Sequence, residues 1–210
     1  GEVGRGHKVA FNVLNYGRFK LGASTMGSCK LALGESARYS AERHQFGQPI
    51  ANFGAIKHKI GEMVTRTYAI ESMVFRTAGL LDAMLGEHKS IDDAALVAAL
   101  EEYAIESSIL KVAGSEHLDF ILDENVQIHG GNGFVKDYQA ERHYRDSRVN
   151  RIFEGTNEIN RLLIPGMLVK RAVKGGLPLI AAAKKLQDEI MTPSPSVPPG
   201  DALLEAQQGA

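Results

Sequence analysis

The residues best suited to chemistry lie between Arg145 and Asn157, in the stretch Arg-Asp-Ser-Arg-Val-Asn-Arg-Ile-Phe-Glu-Gly-Thr-Asn. Its one glutamate, Glu154, follows two apolar residues and directly precedes a glycine. A carboxylate held at an apolar surface is suited to act as a general base that removes a weakly acidic C–H proton. A glutamate before a helix is more commonly an exposed acid that the helix dipole stabilises. Both interpretations stay open on these residues alone.

Two further segments combine polar and small residues where predicted helices end. Gly130-Gly131-Asn132-Gly133 lacks the spacing of a dinucleotide-binding turn and follows a helix, whereas such a turn follows a strand. The run either ends that helix or lets a ligand approach the backbone. Arg43-His44-Gln45-Phe46-Gly47 follows the first long helix, where an arginine stabilises the helix dipole or binds a phosphate. Taken alone, both segments favour the structural interpretation.

Composition excludes several classes of protein. The 210 residues include 24 basic and 25 acidic side chains, so the chain lacks the basic excess of a nucleic-acid-binding domain. The seven histidines form no HExxH, HxxxH or Cys/His pattern, and no metal site is predicted. One cysteine, Cys29, excludes an internal disulfide and indicates a reducing compartment. The prediction is a domain of the bacterial cytoplasm, with the mitochondrial matrix as the alternative.

Glycine and proline residues divide the chain into long segments with helical patterns. These helices would position the candidate residues described above. Helices are predicted over residues 7–42, 53–85, 90–128, 139–145, 157–174 and 179–191. Ser90 is the predicted N-cap of the third helix. The apolar residues predicted to share one face of the second helix are Ile60, Met63, Val64, Ile70, Val74 and Leu81.

Three long helices joined by short turns predict an all-α fold built as an antiparallel up-down bundle. Small side chains at residues 22–29 would let another helix approach closely. We expect the bundle to cover residues 1–174. Residues 175–210 would form a helical extension and a proline-rich linker toward a missing C-terminal region, because four prolines lie between Thr192 and Gly200. The first six residues lack the features of a secretion signal and are typical of a loop within a longer chain.

Four segments, in this order, resemble the acyl-CoA dehydrogenase family. They are Leu14-Asn15-Tyr16-Gly17-Arg18, Arg43-His44-Gln45-Phe46-Gly47, Gln127-Ile128-His129-Gly130-Gly131-Asn132-Gly133-Phe134, and Arg145-Asp146 with Ile152-Phe153-Glu154-Gly155-Thr156-Asn157-Glu158-Ile159. Each segment alone is weak evidence for the family. Four such segments in this order, separated by helices of suitable length, are specific evidence for it. The resemblance covers about residues 1–170, and Phe53-Gly54 is most similar to the long- and very-long-chain branch.

The resemblance implies the four-helix C-terminal domain of a flavoenzyme, here with an extra C-terminal helix. Its activity would be the FAD-dependent α,β-dehydrogenation of fatty acyl-CoA thioesters in β-oxidation. Glu154 would abstract the α-proton while the β-hydride goes to flavin N5, and the backbone N–H of Glu154 would polarise the thioester carbonyl. In the family an N-terminal helical domain and a β-barrel precede this part, so the fragment alone is not expected to be active.

The resemblance also implies which residues bind ligands. The positions that match the substrate site are Asn15, Tyr16, Gly17, Arg18 and Gly155. Those that match contacts to the FAD of a neighbouring subunit are Arg43, His44, Gln45, Phe46, Gln127, Ile128, His129, Gly130 and Gly131. Thr156, Asn157 and Glu158 match the turn beside a subunit's own flavin. The branched-chain subgroup has its base at the position of Gly17, and a glycine cannot serve as a base, so Glu154 keeps that role.

The expected partners also follow from the resemblance. They are an acyl-CoA substrate, an electron-transfer flavoprotein as electron acceptor, and further copies of the chain in a homodimer or homotetramer. The small residues at 22–29 would serve the packing of helices between those copies, and Gly17 beside the acyl channel would favour long chains. The missing C-terminal region would allow peripheral membrane contact. The alternatives are an oxidase-like flavoenzyme and a non-catalytic assembly protein that retains the fold.

Overall fold

The computed structural model describes residues 3–4, 6–86 and 93–192. Its helices are α1 (Gly6–Glu42), α2 (Gly54–Gly86), α3 (Asp93–Glu102), α4 (Ala104–His129), α5 (Gln139–Ser147), α6 (Asn157–Val173) and α7 (Leu179–Met191). The prediction of an all-α fold is therefore confirmed. Three 3-10 turns lie at residues 50–52, 130–134 and 148–151. The predicted cap at Ser90 and the proline-rich residues 193–200 lie outside the described residues.

Two short strands follow α1 and were not expected. β1 (His44–Gln45) and β2 (Gln48–Pro49) pair in antiparallel fashion and form a hairpin. The chain divides into two compact units, Gly1–Pro165 and Gly166–Ala210. The domain boundary expected at residue 174 stays a prediction. Among the described helices, none has both the length and the apolar character that crossing a membrane requires.

The core of the first unit lies between α1, α2 and α4. Its buried apolar residues are Cys29, Ala32, Met63, Ile70, Val74, Leu110, Leu118, Ile121, Leu122 and Ile128. On α2 the buried positions recur every three or four residues, as a helix packed on one face requires. Val64 was expected on this face but is 48% exposed, because it lies one residue, and so about 100°, beyond Met63.

The predicted third helix is two helices, separated at Tyr103. The backbone of Tyr103 leaves the helical region, with φ −94° and ψ 26°. The Nδ2 of Asn12 donates to the Oε1 of Glu101 at 3.1 Å, which ties α3 to α1. No glycine or proline marks the break, so the prediction of one continuous helix was wrong here.

Small residues allow α1 and α4 to pack closely. A Cβ atom on Gly22 would lie 2.9 Å from the Cβ of Leu110. One on Gly114 would lie 2.4 Å from the Oγ1 of Thr25 and 3.5 Å from the Cα of Gly22. The expected close approach of another helix is confirmed. That helix belongs to the same chain, so the buried side of residues 22–29 does not serve pairing with another subunit.

We expect Gly22→Ala to destabilise the domain by about 1–3 kcal/mol, since the Cβ of Leu110 cannot move without moving the backbone of α4. Gly34→Ala on the same helix is the control, because a Cβ there would meet nothing within 4 Å. The control should stabilise by about 0.5–1 kcal/mol through helix propensity. Denaturant unfolding measures both changes, and shifts of the same sign would contradict this account of the packing.

Candidate active site

Glu154 lies in a strained turn between the 3-10 turn at 148–151 and α6. Its φ is +58°, and that of Gly155 is +77°. A left-handed residue other than glycine is uncommon and persists where the surrounding structure holds it. The hydroxyl oxygen of Thr156 accepts a hydrogen bond from the backbone N–H of Ile159 at 3.4 Å, which caps α6. The turn therefore sets the direction of the Glu154 side chain.

The carboxylate of Glu154 lies directly against α1 at Gly17. A Cβ atom on Gly17 would fall 2.8 Å from the Cδ, 2.8 Å from the Oε1 and 2.9 Å from the Oε2 of Glu154. Any side chain at position 17 would thus occupy the place of the carboxylate. The Oε2 atom is buried and has no hydrogen-bond partner in the described residues. The site presents an acceptor that is free to take a proton.

Three buried donors from three helices hold the backbone of this turn. The Nε of Arg18 on α1 donates to the carbonyl oxygen of Glu154 at 3.1 Å. The Nζ of Lys111 on α4 donates to the carbonyl oxygen of Gly155 at 2.8 Å. The Nδ2 of Asn160 on α6 donates to the same oxygen at 2.9 Å and to that of the next residue at 3.1 Å. All three bind backbone rather than the carboxylate, which stays available.

Two cations are desolvated beneath the turn. Burial lowers the pKa of Arg18 from its usual value, although the Glu154 carboxylate acts in the opposite direction. Burial, and then the charge of Arg18, lowers the pKa of Lys111 to about 8. The carboxylates of Glu158, Glu154 and Glu116 oppose this second shift. Burying both groups costs free energy that ordinary core residues would not cost.

The predicted substrate segment is divided by the fold. Gly17 and Arg18 face the turn that carries Glu154. Asn15 is buried, and its Oδ1 accepts from the Nη1 of Arg18 at 3.4 Å, so it supports the arginine. Tyr16 is half exposed, and the Nζ of Lys20 lies 5.5 Å from its ring centroid. The structure brings Gly17, Arg18 and Gly155 together and leaves Tyr16 apart from them.

The apolar setting expected for Glu154 is not supplied by its neighbours in sequence. Ile152 and Phe153 are 53% and 44% exposed. The 3-10 turn before them ends with Ile152 and Phe153 both donating to the carbonyl oxygen of Val149, which leaves their side chains at the surface of this chain. Polar groups on α1, α4 and α6 surround the turn instead. Within the described residues, the apolar surface that the sequence left open for Glu154 is not formed by these two side chains.

A second cluster lies at the other end of α1. Gly17 and Glu42 are 25 residues apart in one helix, which corresponds to roughly 37 Å along its axis. Beyond Glu42, a cavity of about 350 Å³ is lined by Tyr39, Arg43, Gln45, Ile50, Ile128, His129, Gly130, Gly131 and Asn132. Six predicted flavin-contact residues therefore meet here. His44, Phe46 and Gln127 do not line this cavity.

This second cluster suits an anionic ligand. A Cβ atom on Gly130 or Gly131 would meet nothing within 4 Å, so their backbone is open to close approach. Arg43 is exposed beside them, and a guanidinium binds phosphate with paired donors. His129 is instead a structural residue: its ring stacks on Tyr39 at 4.0 Å, and its Nδ1 contacts the carbonyl oxygen of Asn125 at 2.8 Å.

The hairpin loop beside this cavity exposes Phe46. Phe46 is left-handed, with φ +53°, as is Gly47, with φ +81°. The Phe46 side chain is 91% exposed, and its ring meets that of Phe53 edge-on at 6.1 Å. An aromatic residue held at a strained loop tip and left uncovered within this chain is suited to contact another molecule.

The third predicted group, Thr156, Asn157 and Glu158, surrounds the start of α6. Asn157 is buried: its Oδ1 accepts from the Nζ of Lys111 at 2.6 Å, and its Nδ2 donates to the Oγ of Ser115 at 3.0 Å. Its side chain thus joins α6 to α4. Glu158 is exposed, and hydrogen bonds from its own backbone N–H and from Thr156 lower its pKa.

Sequence reasoning missed Lys111 and Asn160. Both are fully buried and both bind the turn. Lys111 stands between Leu110 and Val112 on a core helix, and a lysine flanked by buried apolar residues is a recognisable signal. Asn160 carries no signal in sequence, because an asparagine in the first turn of a helix is ordinary.

The sequence profile of the acyl-CoA dehydrogenase C-terminal domain matches residues 4–166, which include both clusters. The chain therefore belongs to the acyl-CoA dehydrogenase family. It is 51% identical over 211 residues to a probable acyl-CoA dehydrogenase of Bacillus subtilis (strain 168), covering 99% of this chain and 35% of that protein. It is 39% identical over 164 residues to the mitochondrial very long-chain specific acyl-CoA dehydrogenase of Rattus norvegicus, covering 78% of this chain and 23% of that protein.

A solved structure supports the same assignment. The acyl-CoA dehydrogenase of Bacillus anthracis complexed with FAD superposes with a TM-score of 0.89 and 53% sequence identity. The match covers 93% of this chain and 34% of that one. These relatives confirm the resemblance that the four segments indicated. The chain spans about a third of the length of the Bacillus proteins it matches.

Proposed function

We propose that the whole protein containing this chain is an FAD-dependent acyl-CoA dehydrogenase that desaturates long-chain fatty acyl-CoA thioesters in β-oxidation. The observation that carries the proposal is the Glu154 carboxylate, which has a buried, unpartnered oxygen and lies against a glycine. Its turn is fixed through the backbone, so the acid itself is left for chemistry. The relatives support the proposal, because they are themselves acyl-CoA dehydrogenases.

In this mechanism Glu154 removes the α-proton of the thioester, and that proton passes to its carboxylate oxygen. The electron pair of the broken α C–H bond becomes part of the new α,β double bond. FAD, when bound, supplies the acceptor for the β-hydride. The backbone N–H of Glu154 donates to the thioester carbonyl, which lowers the energy of the developing enolate. Gly17 leaves room for the base, and Arg18 orients its turn through the carbonyl oxygen of Glu154.

The residues present fit a flavin dinucleotide divided between subunits. The open backbone at Gly130 and Gly131 and the guanidinium of Arg43 suit the phosphates. Thr156 to Glu158 would lie beside the flavin of the same subunit. The first place lies beyond Glu42 and the second lies near Gly17, roughly 37 Å away along α1, which is more than one dinucleotide spans. A homodimer or homotetramer, in which each subunit contributes residues 43–46 and 127–131 to its neighbour, satisfies both.

The expected electron acceptor is an electron-transfer flavoprotein, and the expected location is the cytoplasm of a bacterium. In the full-length protein, anaerobic palmitoyl-CoA should bleach the visible band of the flavin within one turnover. The reduced enzyme should then reoxidise faster with an electron-transfer flavoprotein than with oxygen. Faster reoxidation by oxygen would favour an oxidase-like enzyme. No bleaching with any acyl-CoA would favour an assembly protein that retains the fold.

A further inference from the structure

Lys111 is the largest fully buried side chain in the described part of the chain, with 0% exposure. It lies on α4 between Leu110 and Val112, which are also buried. Its ammonium donates to two uncharged acceptors, the carbonyl oxygen of Gly155 at 2.8 Å and the Oδ1 of Asn157 at 2.6 Å. A buried cation without a bonded carboxylate is costly, so stability does not explain its presence.

Lys111 is not needed to satisfy its acceptors. The carbonyl oxygen of Gly155 also accepts from the Nδ2 of Asn160 at 2.9 Å. The Oδ1 of Asn157 lies 3.4 Å from the Oγ of Ser115, whose single proton can rotate to it from the carbonyl oxygen of Val112 at 3.1 Å. What Lys111 adds is a charge-assisted bridge between the two ends of the turn, and such hydrogen bonds are roughly twice as strong as neutral ones.

We propose that Lys111 is a positioning residue, whose ammonium joins Gly155 to Asn157 and so holds the turn that sets the Glu154 carboxylate against Gly17. The inference rests on the proposed function of Glu154. It adds a group on α4 that acts on the base through the backbone. The left-handed conformation of Glu154 and Gly155 is the state that this bridge maintains.

The first test is Lys111→Met in the full-length holoenzyme, because methionine has a similar length and no donor. Flavin reduction by palmitoyl-CoA should slow by about 10- to 100-fold, since a misplacement of about 1 Å can cost that much. Flavin content should be kept, and the Tm should be equal or higher, because a buried charge is removed and both acceptors retain a donor. Lys30→Met, which breaks an exposed ion pair with Glu71, is the matched control and should change neither rate nor flavin content.

A second readout does not depend on activity. Backbone amide exchange, followed by mass spectrometry on the full-length protein, should be faster in Lys111→Met for peptides that cover residues 153–157. Amide exchange in peptides from α1 and α2 should match wild type. This local change is expected because only the turn loses its bridge. It would be present whether or not Glu154 is the base, so it separates this inference from the proposed function.

The pH profile gives a third readout. The charged groups that face Lys111 are Arg18 on α1, Glu116 on α4, Glu154 in the turn and Glu158 on α6. Burial, and then the charge of Arg18, lowers the pKa of Lys111 to about 8. In wild type, the rate of flavin reduction and the relative protection of the turn should both fall as pH rises through this value. In Lys111→Met neither should change there.

The sign of the stability change distinguishes this effect from alkaline unfolding. Folding lowers the pKa of Lys111 from about 10.4 to about 8, so the unfolded chain binds more protons between these values. The contribution of Lys111 to stability therefore rises with pH in that window. The rate falls while this contribution to stability rises, which unfolding would not produce.

Two results would overturn the inference. One is a Lys111→Met enzyme whose rate and turn exchange stay within three-fold of wild type. The other is a parallel loss of Tm, flavin and rate, which would assign Lys111 a purely structural role. If the variant protein does not accumulate, the deciding measurement is the pH dependence of amide exchange in residues 153–157 of the wild-type protein. Protection of these residues that does not change with pH, relative to the rest of the protein, would overturn the inference. An active Glu154→Gln enzyme would overturn the proposed function instead.

Discussion

Glu154→Gln in the full-length enzyme should reduce the rate of flavin reduction by acyl-CoA by about 100- to 10,000-fold, as expected on loss of a general base. Binding of flavin and of acyl-CoA should survive. Glutamine has the same shape and can remain against Gly17. The three donors that fix the turn, from Arg18, Lys111 and Asn160, bind backbone oxygens and lose nothing in the substitution.

Stopped-flow measurement of flavin bleaching tests this expectation, together with titration of flavin content and of a non-reacting acyl-CoA analogue. Glu62→Gln is the control, because Glu62 is half-buried on α2 and, in the described part of the chain, pairs with Arg66 at i,i+4. Its rate should equal that of wild type. A Glu154→Gln enzyme that bleaches within a few-fold of wild type would mean that another group is the base.

Gly17→Ala should slow the same step by about 10- to 100-fold for both palmitoyl-CoA and hexanoyl-CoA. The added methyl group would lie 2.8 Å from the Cδ of Glu154, so the carboxylate must move. Because that carboxylate is the end of a flexible side chain, the fold adapts at little cost. Helix propensity should even raise the free energy of unfolding by about 0.5–1 kcal/mol.

This expectation replaces the one drawn from sequence, in which Gly17 kept an acyl channel open for long chains. Gly34→Ala on the same helix supplies the control, with the same gain in propensity and no contact within 4 Å. It should be as stable as Gly17→Ala and fully active. Loss of activity on palmitoyl-CoA alone, with hexanoyl-CoA unaffected, would restore the channel interpretation.

Much of the fold was predictable because its signals are local. The first helix was predicted over residues 7–42 and is Gly6–Glu42, and the last was predicted over residues 179–191, as found. Gly6 marks the start of the first helix, and Pro178 and Pro193 flank the last. The break at Tyr103 has no glycine or proline beside it. The hairpin at residues 44–49 contains Gly47 and Pro49, but these residues indicate a turn without specifying that two strands pair across it.

The site was predictable only in part. Glu154 was recognisable from its short segment, but the surroundings that give it a role come from distant parts of the chain. Arg18 and Glu154 are 136 residues apart in sequence, and Lys111 and Gly155 are 44 apart. Periodicity and spacing do not report such contacts. The true neighbour of Gly17 therefore emerged only from the structure.

The contact between Gly17 and Glu154 restricts how this family can diversify. One small volume holds one carboxylate, and the chain can supply it from α1 or from the turn, but not from both. A lineage with its base on α1, as the resemblance implies for the branched-chain subgroup, would differ at two positions. Whichever substitution came first left an intermediate with a displaced acid or with none. Single substitutions would therefore lead from one arrangement to the other only through an ancestor with impaired activity.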